Sequence, residues 1–159
     1  FTSYTDHTEH FFIQYPLNWE AQQTNPGIQF DDDPAAPSYI VQVLQPGDAT
    51  SAGPATTPDD ASVWVRYELN RLSNIYQSSF QELPGPAPEA RFGGVLWQSG
   101  VAQLSDNQTN IRVQIFATVY HGTPYIINLL ATQDKFASGV RAYFDPMLQS
   151  FTFLPNTAH

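Results

Sequence analysis

The sequence predicts an α+β domain, an αβα sandwich whose central antiparallel sheet carries helices on both faces. Three observations predict it: short alternating apolar runs before residue 46, one strong helical stripe between residues 59 and 76, and three longer alternating runs after residue 95 that are separated by turn-forming residues. A second helical pattern near residue 136 supplies the other layer.

The elements follow in order. His10 to Tyr15 is rich in aromatic and β-branched residues and reads as a strand, which Pro16 ends by withholding a backbone donor. Gly27 to Phe30 starts a second strand that runs into Asp31, Asp32 and Asp33, and Ser38 to Gln45 alternates as a third. From Pro46 to Pro58 the chain holds Pro, Gly, Ser, Thr and Ala without a period, the composition of a mobile surface loop.

Asp59 or Asp60 then caps a helix, because a carboxylate there can accept from the free N–H groups of the first turn. Val65, Leu69, Leu72 and Tyr76 place one apolar stripe against a sheet. Residues 83 to 94 are a Pro- and Gly-rich connection. The runs from Val95, Ile111 and Tyr125, joined by SDNQTN and HGTP, predict an antiparallel meander. Ile111, Val113, Ile115, Ala117 and Val119 form one buried face of its middle strand, while Phe116 and Tyr120 mark partial cover on the other. A second helix starts at Thr132 or Asp134 and turns Phe136, Val140 and Tyr143 or Phe144 to one side. Asp145 and Pro146 open a separate final turn carrying Met147 and Leu148, and Ser150 to Phe153 is a closing strand.

The bulk numbers bound the function. The 159 residues suffice for one domain, 42% are hydrophobic and 14% aromatic, so a packed core is affordable. Six Lys and Arg stand against fifteen Asp and Glu, a formal charge of -9 with Lys135 the one lysine, which disfavours nucleic acid and anionic membrane surfaces as partners. There is no cysteine, and so no disulfide, thiolate metal site or cysteine nucleophile. No apolar run approaches the roughly eighteen residues of a membrane span. The abrupt ends give the expectation of one domain, residues 1–159, cut from a longer anchored or secreted protein, so that membrane contact would come only through an anchor outside it.

Two end motifs carry a resemblance. Tyr15, Pro16 and Trp19 follow the first strand as Y-P-x-x-W, and Leu148, Ser150, Phe151 and Phe153 close the chain as Leu-x-Ser-Phe-x-Phe after an apolar residue. Together with the element order, these resemble the PsbP-like fold family. That family includes the extrinsic photosystem II subunit, a Ran-binding nuclear import factor and many bacterial secreted or lipid-anchored proteins. The resemblance implies an αβα sandwich around an antiparallel sheet and transfers no catalytic residue, since its members do unrelated work on one scaffold. The lysine-poor surface is more similar to the bacterial extracytoplasmic branch than to an electrostatically docked photosystem subunit. In this frame Trp19 is expected to be a buried plug near Phe151 rather than a ligand platform.

Candidate chemistry is sparse. His7, Glu9 and His10 are metal-ligand types, but on a strand His7 and His10 point to opposite faces, and no HExxH helix is present, so solvated histidines are expected. Asp31 to Asp33 lack the spaced Asp and Gly of a calcium loop and run into Pro34. There is no G-x-S-x-G elbow, and RFGG at 91–94 lacks the lysine of a phosphate loop. No catalytic residue, cofactor or metal is therefore assigned. The NQT sequon begins at Asn107.

The one candidate partner surface is Trp64, Glu68 and Arg71, at helical spacings on a face rotated away from Val65 and Leu69. A Trp beside an Arg is hot-spot composition if exposed, and core if the helix is covered on both sides. The expected function is a noncatalytic protein- or ligand-binding domain of a bacterial extracytoplasmic lipoprotein or membrane-anchored protein. The alternative is a small-molecule or lipid carrier or hydrolase with a cavity lined by Phe116, Tyr120, Tyr125 and Tyr143. A concave apolar pocket of a few hundred cubic ångströms beside convergent polar groups is the observation that separates them.

Overall fold

A computed structural model describes residues 1–24, 27–46, 61–84, 89–106 and 108–155. Asp59, Asp60, Asn107 and the stretch 47–58 lie outside the described residues, so the expected cap, sequon and loop do too. The chain has an α+β fold in which every strand pairing among the described residues is antiparallel. Strands β1 (Thr2–Asp6) and β2 (Phe11–Tyr15) form a hairpin, followed by β3 (Glu20–Gln23), β4 (Gly27–Asp31) and β5 (Tyr39–Leu44). Helix α1 (Ser62–Tyr76) leads through a short 3-10 turn to β6 (Gln81–Leu83) and β7 (Glu89–Phe92). The meander is β8 (Val95–Asp106), β9 (Thr109–Tyr120) and β10 (Thr123–Thr132). Helix α2 (Phe136–Gly139), a π-helical turn (Val140–Phe144), helix α3 (Asp145–Ser150) and β11 (Thr152–Phe153) complete the chain.

Eight strands form one sheet in the order β3-β4-β5-β10-β9-β8-β6, with β7 also on β8, and β1-β2-β11 form a second, small sheet. The meander is the one foreseen from its turn residues. His121 and Gly122, both at positive φ, make the tight β9–β10 reversal. The short strands β1, β3, β6 and β7 were not foreseen. They hold four or five residues or fewer with polar or alternating exposure, and their pairing is decided by neighbours rather than by their own pattern.

Alternation along the long strands divides the core in two. Ile126 of β10 clusters with Trp64, Val65, Leu69 and Leu72 of α1 and with Val113, Ile115, Ala117 and Val119 of β9, the face expected for that strand. Tyr125, Ile127, Leu129 and Ala131 of β10 cluster instead with Phe136, Phe144, Met147 and Leu148 and with Trp19, Trp97 and Phe116. Gly100 of β8 lets α1 lie close, because a Cβ there would sit 2.8 Å from Val65 Cγ1.

The C-terminal helical run is continuous, where a separate turn at Asp145 and Pro146 was expected. The π turn explains the difference. Pro146 has no N–H to give to the preceding turn, and the widened register falls just before it, so the chain stays helical across the missing bond.

Candidate functional site

Trp19 is buried, as expected, but its ring neighbours are not. It stacks on Tyr39 at 6.2 Å and meets Tyr143 at 5.1 Å, whereas Phe151 stacks on Phe11 and meets Trp97 edge-on. The Trp19 N–H donates to the carbonyl of Pro16, and that tight turn directs the indole toward β5 and the π turn rather than toward β11.

The expected partner face of α1 is corrected by the structure. Trp64 and Glu68 are 0% exposed, and Arg71 keeps 39% of its side chain in solvent. The reason is geometric: Trp64, Glu68 and Leu72 form one i, i+4 row beside the Val65–Leu69 row, and the sheet is broad enough to cover both.

What lies under this face is a polar chain. Arg71 grips Glu68 with two donors, Nε to Oε1 and Nη2 to Oε2, each at 2.6 Å. Asn128 Nδ2 of β10 donates to Glu68 Oε2 and, at 3.2 Å, to Gln42 Oε1. Gln42 Nε2 donates to Gln29 Oε1, and Gln29 Nε2 donates to Asp31 Oδ2, both at 3.0 Å. Three side-chain amides thus link two buried carboxylates, Glu68 and Asp31, across β10, β5 and β4. The Glu68 hydrogen bonds hold the Arg71 guanidinium above its already high range, with burial pulling the other way. On the outer side of α1, Arg66, Tyr67, Asn70 and Arg71 line a groove of about 670 Å³.

The aspartate run serves its own loop. Asp32 Oδ1 accepts the N–H groups of Ser38 and Tyr39, and Asp33 Oδ1 accepts that of Ala35, while Asp31 ends the amide chain. The three carboxylates therefore diverge. Among the described residues no group of three His, Asp or Glu side chains is spaced to hold a metal ion.

The residues of the proposed carrier cavity are packed into the core. Tyr120 lies flat on Phe153 at 4.0 Å, Tyr125 meets Phe153 at 4.8 Å, Phe116 meets Phe92 edge-on and Tyr143 contacts Trp19 and Tyr39. The carrier reading loses its cavity residues to that packing.

A cleft of about 810 Å³ opens at the β1–β2 turn, between that hairpin and the ends of β3, β4 and β5. Phe11, Ile28 and Val43 lie buried at its base. Its walls hold Tyr4, Asp6, His7, Glu9, Gln23 and Gln45. Asp6 organises the turn: Oδ1 accepts the N–H groups of Thr8 and Glu9 at 3.0 and 2.8 Å, and Oδ2 accepts the Tyr4 hydroxyl at 3.0 Å. Gln23 Nε2 donates in turn to the Tyr4 hydroxyl at 2.7 Å. The Tyr125 hydroxyl and Gln45 Nε2 both donate to the Glu9 carbonyl, which pins the turn from below. Burial, then repulsion from Asp6, raises the Glu9 carboxyl above the usual range.

His7 and Glu9 drew notice in the sequence as metal-ligand types, with solvated histidines expected instead. They line the cleft, while His10 leaves the strand register at positive φ. Gln23 and Gln45 carried no signal, because the cleft is assembled from strands far apart in the sequence and the pairing of β1 and β3 was not legible.

Neither a family model nor a curated protein sequence matches the chain. Solved structures do. A Bacteroides thetaiotaomicron VPI-5482 protein is 12% identical with a TM-score of 0.60, and the match covers 99% of this chain and 50% of that one, so the chain spans half its length. The cyanobacterial PsbP of Synechocystis sp. PCC 6803 is 16% identical with a TM-score of 0.63, over 96% of this chain and 91% of that one. LpqN of Mycobacterium tuberculosis, a protein involved in cell envelope biogenesis, is 17% identical with a TM-score of 0.54, over 97% and 90%. At these identities the likeness shows the fold, and the chain has a PsbP-like fold.

Proposed function

We propose that this chain is a noncatalytic binding domain of a bacterial extracytoplasmic protein, and that the cleft at the β1–β2 turn is its ligand surface. The carrying observation is that cleft: an apolar base ringed by hydrogen-bonding side chains on a pinned turn. Both oxygens of Asp6 are committed to Tyr4, Thr8 and Glu9, a positioning use that favours binding over proton transfer. The overall architecture fits the αβα sandwich, with α1 and the α2–α3 run assigned to opposite faces of the sheet in keeping with the two core clusters. The extracytoplasmic assignment draws on the fold shared with LpqN, and among the described residues no helix is long and apolar enough to cross a membrane.

A photo-crosslinking side chain placed at Gln45 in the native host tests this. An adduct formed at Gln45 and absent from the exposed control position Ala137 supports the reading, and identical adduct patterns at both positions would sink it.

A protein partner on α1 is the second reading, favoured by the groove on its outer side. Of the three helix residues first singled out, Arg71 is the one that reaches solvent, so such a partner meets Arg71 with Arg66 and Tyr67 while Trp64 and Glu68 stay beneath. Asn70→Ala, at an exposed groove position outside both ion pairs, should weaken capture of that partner without lowering the melting temperature.

A further inference from the structure

We infer that the cleft at the β1–β2 turn takes a neutral saccharide, held with its hydroxyl edge against Glu9, Gln23 and Gln45; this rests on the binding reading above. The size suits it, since about 810 Å³ lies within the range of small-ligand sites, and the opening at the hairpin allows a chain of sugar units to enter.

The chemistry of the lining narrows the class. Among the described lining residues Asp6 and Glu9 are acidic, none is Lys or Arg, and His7 is the one side chain able to become cationic, so a phosphate or carboxylate meets more like charge than countercharge. An aliphatic tail needs an apolar channel, and here the buried apolar lining is the patch of Phe11, Ile28, Val43 and Pro46 beside a polar ring. A sugar matches both parts: its C–H face suits that base, and its hydroxyls each donate and accept, as amides and hydroxyls do.

The ring also holds unused capacity. Among the described residues the Glu9 carboxylate receives no hydrogen bond, and burial already disfavours its charge. Among the described residues Gln23 gives one donor to the Tyr4 hydroxyl and keeps its carbonyl oxygen and second N–H, while Gln45, bonded to the Glu9 carbonyl and to Tyr125, keeps its carbonyl oxygen. Both Asp6 oxygens already accept, three hydrogen bonds in all, so the least engaged acceptors are one carboxylate and two amides rather than a paired acidic trap for a cationic peptide.

The test is a titration of the whole ¹⁵N-labelled chain with cellobiose, maltose, N,N′-diacetylchitobiose and, as a cationic probe, trilysine. The expected result is saturable backbone shifts at Tyr4, Thr8, Gln23 and Gln45 from at least one saccharide. Glu9→Gln should weaken that binding about tenfold or more at an unchanged melting temperature, a loss worth roughly 1.4 kcal/mol. Unchanged affinity in Glu9→Gln overturns the pose, and saturable shifts confined to another surface overturn the site. A cleft response to trilysine alone overturns the saccharide and leaves the binding reading standing. A cleft silent to all four probes overturns the saccharide inference; if the Gln45 crosslink also fails, the binding reading falls with it.

Discussion

The carboxylate of Glu68 on α1 and the side-chain amide of Asn128 on β10 are hydrogen-bonded to each other at a point where both residues are buried. This contact fixes the helix on the sheet at one register, because sliding α1 would leave a carboxylate against Ile126 or Leu44. Asn128 uses both of its N–H donors, one on the helix and one on Gln42, so the helix anchor and the amide row on the sheet are one hydrogen-bonded system.

Arg71→Ala should therefore destabilise the fold more than a surface charge deletion does. It strips Glu68 of its bidentate partner inside the core, and the partial exposure of Arg71 moderates the loss to about 2–3 kcal/mol. The double variant Glu68→Met, Arg71→Met removes both charges and should recover part of that loss. Chemical denaturation of the two variants checks this, and equal midpoints for Arg71→Ala and wild type would show that the pair contributes nothing.

Much of the fold was legible because the informative segments are long. The meander and the Val65–Leu69–Leu72–Tyr76 stripe each repeat their period over ten or more residues, and end motifs of large aromatics marked the same fold that the solved structures show. The site was not legible. Trp64, Glu68 and Arg71 read as a candidate partner face because they are rotated away from the Val65–Leu69 stripe, with burial of Trp64 left open, and nothing local reveals that Asn128, sixty residues away, receives the Glu68 carboxylate. The cleft failed for a related reason: β1 and β3 are short polar strands whose positions are decided by pairing partners.

Trp19→Ala should cost about 3–5 kcal/mol, since the indole fills the space between Tyr39 and Tyr143 and nothing flexible can collapse into it. A thermal melt measures it. An unchanged melting temperature would mean the aromatic triad closes without its tryptophan.

Gly139→Ala isolates a contact from a propensity. In a helix this change normally stabilises by roughly 0.5–1 kcal/mol, because alanine gives up less backbone freedom. Here the new Cβ would lie 2.6 Å from Tyr39 Cε1, and that ring is held by Trp19, Tyr143 and Phe144. Overpacking at about 1–3 kcal/mol should win, so the variant should melt below wild type. A gain in stability would show that Tyr39 moves freely.

Tyr125 links the core to the cleft, and its titration reads that link. Burial, then the nearby Glu9 charge, pushes its phenol up from 10.0 to about 12, while the hydroxyl donates to the Glu9 carbonyl. Because the folded value is the raised one, the associated stability is complete below pH 10 and is lost as pH climbs from 10 through about 12, where the unfolded chain ionises first. The loss should reach about 2 kcal/mol across that interval, and it should be absent in Tyr125→Phe, whose stability is lower at neutral pH by the missing hydrogen bond. Denaturation midpoints taken from pH 8 upward on the two proteins decide it. Parallel declines would remove Tyr125 as the source, whereas convergence of the two curves in that window would place the phenol under the β1–β2 turn as the group that holds Glu9 in the cleft wall.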